Sequence, residues 1–320
     1  MTDSLAVKAT DVRFAYGDRE ALRGVDFEVR EGAAFGFLGP NGSGKSTLFK
    51  LLSTLVPLQQ GAVTMLGHDL ARDAAAIRRR AGVVFQSPAV DKKLTVQENL
   101  RYGGLMLGLG GAALQARIDA CLEAADLSDR RKDNVEDLSG GLRRRVEIAK
   151  CLLSEPELVL LDEASTGLDP AARREMWKVL RAQDGLTVLF TTHLMEEAAE
   201  ADQLMLLDEG SVVAQGRPGE LMEEVGGQVI EIESAVAQEL QSQLKSELSV
   251  EATLLDQTLR IDGENVHELV PEIMKRCGDR VRRLQLAHPS LEDVFLHRTG
   301  KRFVVTAPEE PNKKKKRRRR

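Results

Sequence analysis

Three short stretches of this chain carry residue types that together handle phosphate. The first is Gly39-Pro40-Asn41-Gly42-Ser43-Gly44-Lys45-Ser46, followed by Thr47, between a short apolar run (33–38) and an apolar helical pattern (47–54). Glycines let consecutive backbone N–H groups converge on phosphate oxygens, and the helix start that follows adds partial positive charge. Lys45 is placed to reach the β- and γ-phosphates, and Ser46 to offer its hydroxyl to Mg2+ with Thr47 beside it. The second stretch is Asp162-Glu163, two carboxylates closing the apolar run 157–161 where a parallel strand delivers residues to the ligand-binding edge of a sheet. Successive strand residues point to opposite sides, so the two acids can divide the work. Asp162 is the natural holder of the metal, directly or from one layer out, and Glu163 accepts a proton from, or orients, the water attacking the γ-phosphate. The third is Leu138-Ser139-Gly140-Gly141-Leu142-Arg143, ahead of Val146, Ile148, Ala149, Leu152 and Leu153 at helical spacing. Ser139 can cap that helix while Gly140 and Gly141 leave room for a phosphate, giving one chain two anion-receptive helix starts.

These groups need a scaffold, and the apolar runs supply it. Residues 33–38, 157–161, 186–191 and 203–207 are too short to span a membrane and too continuous to have one wet face. Alternating with helical patterns, they predict an α/β domain with a largely parallel core sheet. Residues 87–154, rich in Leu, Ala, Arg and Glu with few strand signals, read as a helical insertion. After Gly226-Gly227 the pattern changes to strand 228–233, helix 235–247, strands 250–255 and 258–261, helix 266–277 and strand 280–286. That order is the ferredoxin-like α+β arrangement, followed by a last helix at 291–297. The expected division is 1–225, 226–305 and a tail, 306–320, with nothing to pack and so expected to be disordered.

The chain has 320 residues, 45 Lys plus Arg against 50 Asp plus Glu, and 42% hydrophobic residues, which excludes a disordered protein and suits about two domains. Its net charge is −5, yet residues 313–320 alone carry +8, so the other 312 residues carry −5 less 8, or −13. An acidic body argues against a broad nucleic-acid face and confines polyanion attraction to the tail. The longest uncharged stretches, 51–68 and 102–116, are broken by Pro57 and Gly61 or by glycines, so no membrane-spanning helix is expected. The start, Met1-Thr2-Asp3-Ser4, lacks the pattern of a secretory signal. Cys121, Cys151 and Cys277 are odd in number and show no metal-ligand spacing; reduced, cytosolic, structural thiols are the expectation.

Taken together, the motifs closely resemble those of the ATP-binding subunits of ABC transporters over about residues 5–225, a family in which Ser139-Gly140-Gly141 would be the signature motif. The resemblance implies a P-loop NTPase cassette with a helical subdomain at about 87–154. It also implies two subunits paired head to tail, with each ATP between the phosphate loop of one and the signature of the other. It assigns Tyr16, in Phe14-Ala15-Tyr16-Gly17, to stacking on adenine, and Gln86, after Gly82-Val83-Val84-Phe85, to the metal or the attacking water and to the link with the helical insertion. Asp169, in Gly167-Leu168-Asp169, is assigned to the loop that meets the opposite subunit, and His193, closing 188–192, to sensing the γ-phosphate. Asp169-Pro170 also reads as a plain helix start, and the two roles can coexist.

Two positions depart from the family pattern: Leu142 stands where Gln is most common, and Ala164-Ser165 where Pro-Thr is. Leu142 cannot donate a hydrogen bond, so a Gln-mediated contact across the dimer is absent, but similar nonpolar residues occur in drug-resistance-type exporters and activity is expected to be retained. Arg143, Arg144 and Arg145 read as a solvated face, with anionic groups near the membrane as the other reading. More loosely, His288-Pro289-Ser290-Leu291-Glu292-Asp293-Val294-Phe295 and the domain around it are similar to an appendage of that exporter branch.

The expectation is therefore a Mg-ATP-hydrolysing homodimer on the cytoplasmic face of the cell membrane. It would power a drug-resistance-type exporter through a separate integral-membrane permease, contacted after Gln86 through Asn99. The basic octet is read as solvated, with anionic lipid as its next partner. A nucleic-acid- or ribosome-directed ABC ATPase is the rival, invited by the tail alone; no second cassette, long coiled coil or zinc module accompanies it. A scaffold that binds ATP without turnover is the third reading.

Overall fold

The computed structural model describes residues 4–255, 257–263 and 265–303; the predicted tail, 306–320, lies outside them. Six strands build the central sheet: β3 (Ala34–Leu38), β6 (Ala81–Val84), β7 (Leu158–Asp162), β8 (Thr187–Thr192), β9 (Gln203–Asp208) and β10 (Ser211–Gly216), in the order β10-β9-β3-β8-β7-β6. Neighbours are parallel except β9 and β10, which form an antiparallel edge. Every residue of β3 and β8 is buried, which is why their sequences are continuous apolar runs rather than alternating ones. The four predicted core strands lie within one residue of the observed ones at either end.

A second, antiparallel sheet covers one face. It contains β1 (Leu5–Tyr16), β2 (Arg19–Arg30), β4 (Gln60–Met65) and the two-residue β5 (His68–Asp69), ordered β2-β1-β4-β5. Val25, Phe27 and Val29 face inward onto Phe35 and Phe37 of β3, and helix α1 (Lys45–Leu52) contributes Leu48, Leu51 and Leu52 to the same core. Sequence patterning did not bring out this sheet. Asp11 takes a left-handed φ of 48° and the β1 register shifts between Ala9 and Val12, so the two-residue alternation that marks a half-buried strand is interrupted. Helix α2 (Ala74–Arg80) leads into β6.

The insertion consists of α3 (Val96–Met106), α4 (Gly111–Ala124) and α5 (Gly140–Leu152), with two short 3-10 turns and, among the described residues, no strand. Thr95 starts α3 through a reciprocal cap with Glu98, which satisfies two of the backbone N–H groups a helix start leaves open. Leu100, Ile118, Leu122, Val146 and Ala149 form a core continuous with Val159, Leu161 and Phe190 of the central sheet, so the insertion is packed onto the sheet rather than tethered to it. Helices α6 (Pro170–Arg181), α7 (Met195–Ala198) and α8 (Pro218–Glu223) complete this part.

Beyond it come β11 (Gln228–Glu233), α9 (Ala237–Leu248), β12 (Thr253–Leu255), β13 (Thr258–Gly263), α10 (Leu269–Cys277) and β14 (Arg283–Ala287). Their sheet, β12-β13-β11-β14, is antiparallel throughout, and Leu240, Leu244 and Ile273 pack against Ile230, Ile232 and Leu259. The last helix, α11 (Leu291–Thr299), turns back: Leu291, Val294 and Phe295 join Leu204, Leu206, Ala214 and Leu221 at the β9–β10 edge of the central sheet. Burying each such side chain contributes about 1.5–3 kcal/mol, so α11 is an anchor. Buried Arg260 of β13 pairs with Asp293 of α11 and ties the small sheet to that anchor.

Candidate active site

The parallel strands all deliver their C-terminal ends to one edge, and the chemistry-bearing residues gather there. β3 runs into the loop 39–44, and α1 begins at Lys45 with no side chain capping it and no acid in its first turn. The Thr47 and Leu48 N–H groups already meet the Gly44 carbonyl, so an anion at this helix start would be met by the N–H groups ahead of them. Gly44 holds the turn at φ 108°, where a Cβ would lie 2.7 Å from the Ala21 carbonyl oxygen; only glycine fits. The turn between β9 and β10 braces the loop from outside, the Gly210 N–H donating to the Ser43 carbonyl at 2.9 Å.

Lys45 is 4% exposed and its ammonium donates to the carbonyls of Gly39 (2.6 Å) and Pro40 (3.0 Å), spanning its own loop. Burial pushes its pKa below 10.5, and the negative charges of Glu163 and Asp162 oppose that shift. A desolvated cation poised beside carboxylates gains from a polyanion more than a hydrated one would. Asp162 ends β7. Burial pushes its carboxyl up, while the Thr191 hydroxyl, donating to Oδ1 at 2.7 Å, pulls it down. Glu163 steps off the strand with a left-handed φ of 42°, its N–H donating to the Thr191 hydroxyl (3.0 Å) and carbonyl (3.2 Å). That conformation re-aims Glu163, so the two acids do not simply alternate as residues of one strand do.

Gln86, just past β6, donates through Nε2 to Glu163 Oε2 at 3.2 Å. His193, just past β8, brings Nδ1 to 3.3 Å from the same oxygen; Nδ1 is buried and makes no hydrogen bond among the described residues, so the contact is proximity rather than a formed bond. Five predicted residues, Lys45, Gln86, Asp162, Glu163 and His193, thus form one cluster. A cleft of about 760 Å³ opens beside Lys45 and Glu163, lined among others by Tyr16, Arg19, Asn41, Gly42, Gly44, Ser46, Thr47 and Glu209; Gln86, Asp162 and His193 do not line it. Tyr16 is half exposed there, its ring edge-on to Phe14 with centroids 4.9 Å apart. The Ser43 hydroxyl is buried and makes no hydrogen bond among the described residues, a polar atom that the loop alone does not satisfy.

Whether the site suits Mg2+ can be judged from its donors. Among the described residues no three His, Cys, Asp or Glu side chains group to hold a metal by themselves. Ser46, Gln86 and Asp162 offer hard oxygens, with Thr191 engaging only Oδ1 of the aspartate. Few protein oxygens suit an ion that keeps water and takes phosphate oxygens, so the residues fit magnesium on a nucleotide and not a protein-caged metal.

Ser139, Gly140, Gly141 and Asp169 do not line this cleft. Ser139 caps α5 as expected, Oγ accepting from the Leu142 N–H at 3.3 Å, and is exposed together with Gly140. Gly141 serves helix packing: a Cβ there would meet Ala172 of α6 at 2.6 Å. Asp169 caps α6, accepting from the N–H groups of Ala171 and Ala172 at 2.9 Å each, and is exposed too.

The arginine triplet is not a solvated face. Arg144 is 4% exposed and donates to the carbonyls of Phe85 and Gln86. Arg143 donates to those of Val135 and Glu136, and Arg145 to the Ala125 carbonyl and the Asp126 carboxylate. Their side chains are engaged by carbonyls and, for Arg144 and Arg145, by the carboxylates of Glu147 and Asp126 within the chain. Thr191 went unnoticed in the sequence; the available signal was a hydroxyl pair, Thr191-Thr192, ending an otherwise apolar buried strand beside the acids.

A family model for ABC transporters matches residues 22–166, and one for the C-terminal domain of DrrA1-3-like ATP-binding proteins matches residues 216–299. Daunorubicin resistance ATP-binding protein DrrA3 of Streptomyces coeruleorubidus is 38% identical over 294 residues, 89% of this chain and 93% of that protein. Nod factor export ATP-binding protein I of Rhizobium meliloti (strain 1021) is 38% identical over 302 residues, 93% of this chain and 89% of that one. Among solved structures, an ABC transporter's ATP-binding cassette in its ADP conformation superposes with a TM-score of 0.64 at 26% identity, covering 69% of this chain and 94% of that one. A dimeric post-hydrolysis cassette bound to ADP and Pi matches with a TM-score of 0.58 at 28% identity, covering 66% and 98%.

Proposed function

Since this chain belongs to the ATP-binding proteins of ABC transporters, we propose that it powers an exporter of the drug-resistance type as a head-to-tail homodimer, acting through a separate integral-membrane permease. The chain is an ATPase of that family. The observation that carries the dimer is the separation of its two phosphate cradles. Lys45 and Glu163 line one cleft while Ser139 and Gly140 stand exposed elsewhere, so the signature is available to a second copy.

Within each composite site, the loop N–H groups and Lys45 hold the β- and γ-phosphates, Tyr16 stacks on adenine, and Asp169 meets the opposite subunit. Ser46, Asp162 and Gln86 would hold Mg2+, which supplies neutralising charge on the phosphate oxygens. Glu163 orients the attacking water and takes its proton as the water oxygen bonds to the γ-phosphorus and the bond to the bridging oxygen breaks. His193 and Gln86, both at Glu163 Oε2, report the state of the γ-phosphate to β8 and to the helical insertion. Closure on ATP and reopening after phosphate release would drive the permease.

No described helix is long and apolar enough to cross a membrane, which is consistent with a separate permease carrying the path. We assign the peripheral position to the cytoplasmic face, with residues 1–225 as the cassette and 226–305 as its appendage. The basic octet adds lipid attraction, at about 1 kcal/mol per basic residue near an anionic surface. Mixing two inactive chains tests the composite site: Lys45→Ala and Ser139→Arg, each silent alone, should regain hydrolysis when combined, because the heterodimer has one intact site. A mixture as silent as its components contradicts the head-to-tail arrangement.

A further inference from the structure

Three residues three apart on α5 lie on one helix face, and all three grip the loop that carries Gln86. Arg144 donates through Nη1 to the Phe85 carbonyl at 2.7 Å and through Nη2 to the Gln86 carbonyl at 2.8 Å. Glu147 accepts the Ala89 N–H at 2.9 Å and pairs with Arg144 at 2.5 Å. Lys150 donates to the Ala89 carbonyl at 2.9 Å. The Arg144 and Glu147 side chains are each 5% exposed, so the bonds of these two are largely shielded from water, whereas that of Lys150 is exposed.

We propose that the Arg144–Glu147 pair is a positioning clamp that fixes the Gln86 loop to α5, so that a displacement of the helix begun by Ser139 is delivered to Gln86 and through it to Glu163. The inference rests on the roles given above to Ser139, Gln86 and Glu163. Four links make up the route: the Ser139 cap, the rigid first turns of α5, the planar guanidinium spanning two successive carbonyls, and the 3.2 Å hydrogen bond from Gln86 to Glu163. A guanidinium suits this because its fixed fork transmits both translation and rotation of the loop, which a flexible point charge does not. The buried ion pair is weak evidence for stability, since hydrophobic residues of similar volume commonly do as well, and that leaves positioning as the reason for its form.

The test is a double-mutant cycle between Arg144→Met, which keeps the stem and removes the fork, and Gln86→Ala, with kcat, ATP KM and melting temperature read for all four proteins. Alone, Arg144→Met should lower kcat by about 10- to 100-fold with ATP KM unchanged, the loss typical when a supporting partner is removed. In the Gln86→Ala background it should add no further loss, because the residue it positions is gone. Wild-type kcat in Arg144→Met, or an equal loss in both backgrounds, overturns the clamp. Should Arg144→Met fail to fold, Arg144→Lys keeps a cation against Glu147 without the fork and carries the same cycle. Wild-type turnover separates the two levels: an inactive wild type sinks the functional reading, whereas an active wild type beside an indifferent Arg144→Met sinks the clamp alone.

Discussion

Thr191 offers the sharpest single perturbation of the site. It is 2% exposed, its hydroxyl donates to Asp162 Oδ1 at 2.7 Å, and that hydroxyl oxygen accepts the Glu163 N–H at 3.0 Å. Thr191→Val keeps the shape and removes both bonds. The bond to a carboxylate is worth about 1.5–3 kcal/mol. Losing the second costs little, because the Glu163 N–H keeps the Thr191 carbonyl at 3.2 Å. In a domain of this size about 2–4 °C of melting temperature accompanies each kcal/mol, so melting should fall by about 3–12 °C. The Asp162 carboxyl, already pushed up by burial, loses the donor that pulled it down and rises further. Turnover should drop by about 10-fold or more as both acids lose their common support. Thermal melts and steady-state ATP hydrolysis, with Thr191→Ser restoring the hydroxyl and most of the activity, make the comparison. A Thr191→Val protein with wild-type melting and kcat, or a serine variant that recovers nothing, refutes the reasoning.

Lys45 yields a pH signature. Its folded pKa is lowered by burial, so between that value and 10.5 the unfolded chain binds more protons, and stability rises with pH. Denaturant unfolding of the nucleotide-free protein should therefore shift in the wild type's favour relative to Lys45→Met as pH climbs from neutral towards 10.5, while Lys45→Met fails to bind ATP. A pH-independent difference contradicts the buried, charge-penalised lysine. The thiols give a simpler check: burial pushes Cys121 up to about 11 and Cys151 up to about 12, so neither should react with a thiol reagent at neutral pH until the protein unfolds. Rapid labelling of either in the folded state contradicts their structural role.

Legibility in the sequence followed how local each feature is. The loop at Gly39–Ser46 and the pair Asp162-Glu163 announce themselves because their chemistry needs particular residues in unbroken succession. The buried strands announce themselves because parallel strands covered on both faces read as nearly continuous apolar runs, with polar residues such as Thr187, Thr191 and Thr192 of β8 confined to the ends. What stayed hidden depends on tertiary neighbours. The antiparallel sheet was obscured by the irregularity at Asp11, and α11 reads as part of the small domain although Phe295 belongs to the core beside Leu204. Arg144 sits in a run of three arginines, a pattern that normally means solvent; only the position of the Phe85–Ala89 loop against α5 turns it inward. The left-handed turn at Glu163 could not be read from residue types, since it goes with hydrogen bonds to Thr191 on the neighbouring strand and from the Thr166 N–H to the Glu163 carbonyl.

The decisive measurement is sedimentation of the Glu163→Gln protein with and without Mg-ATP. The substitution keeps the side chain's size, removes the carboxylate proposed to take the water's proton, and so should nearly abolish hydrolysis while leaving nucleotide binding intact. A monomer that becomes a dimer holding two ATP on nucleotide addition is the expected result. A protein that binds ATP yet stays monomeric at saturation, alone and with the proposed permease, would contradict the shared site between Lys45 of one copy and Ser139 of the other.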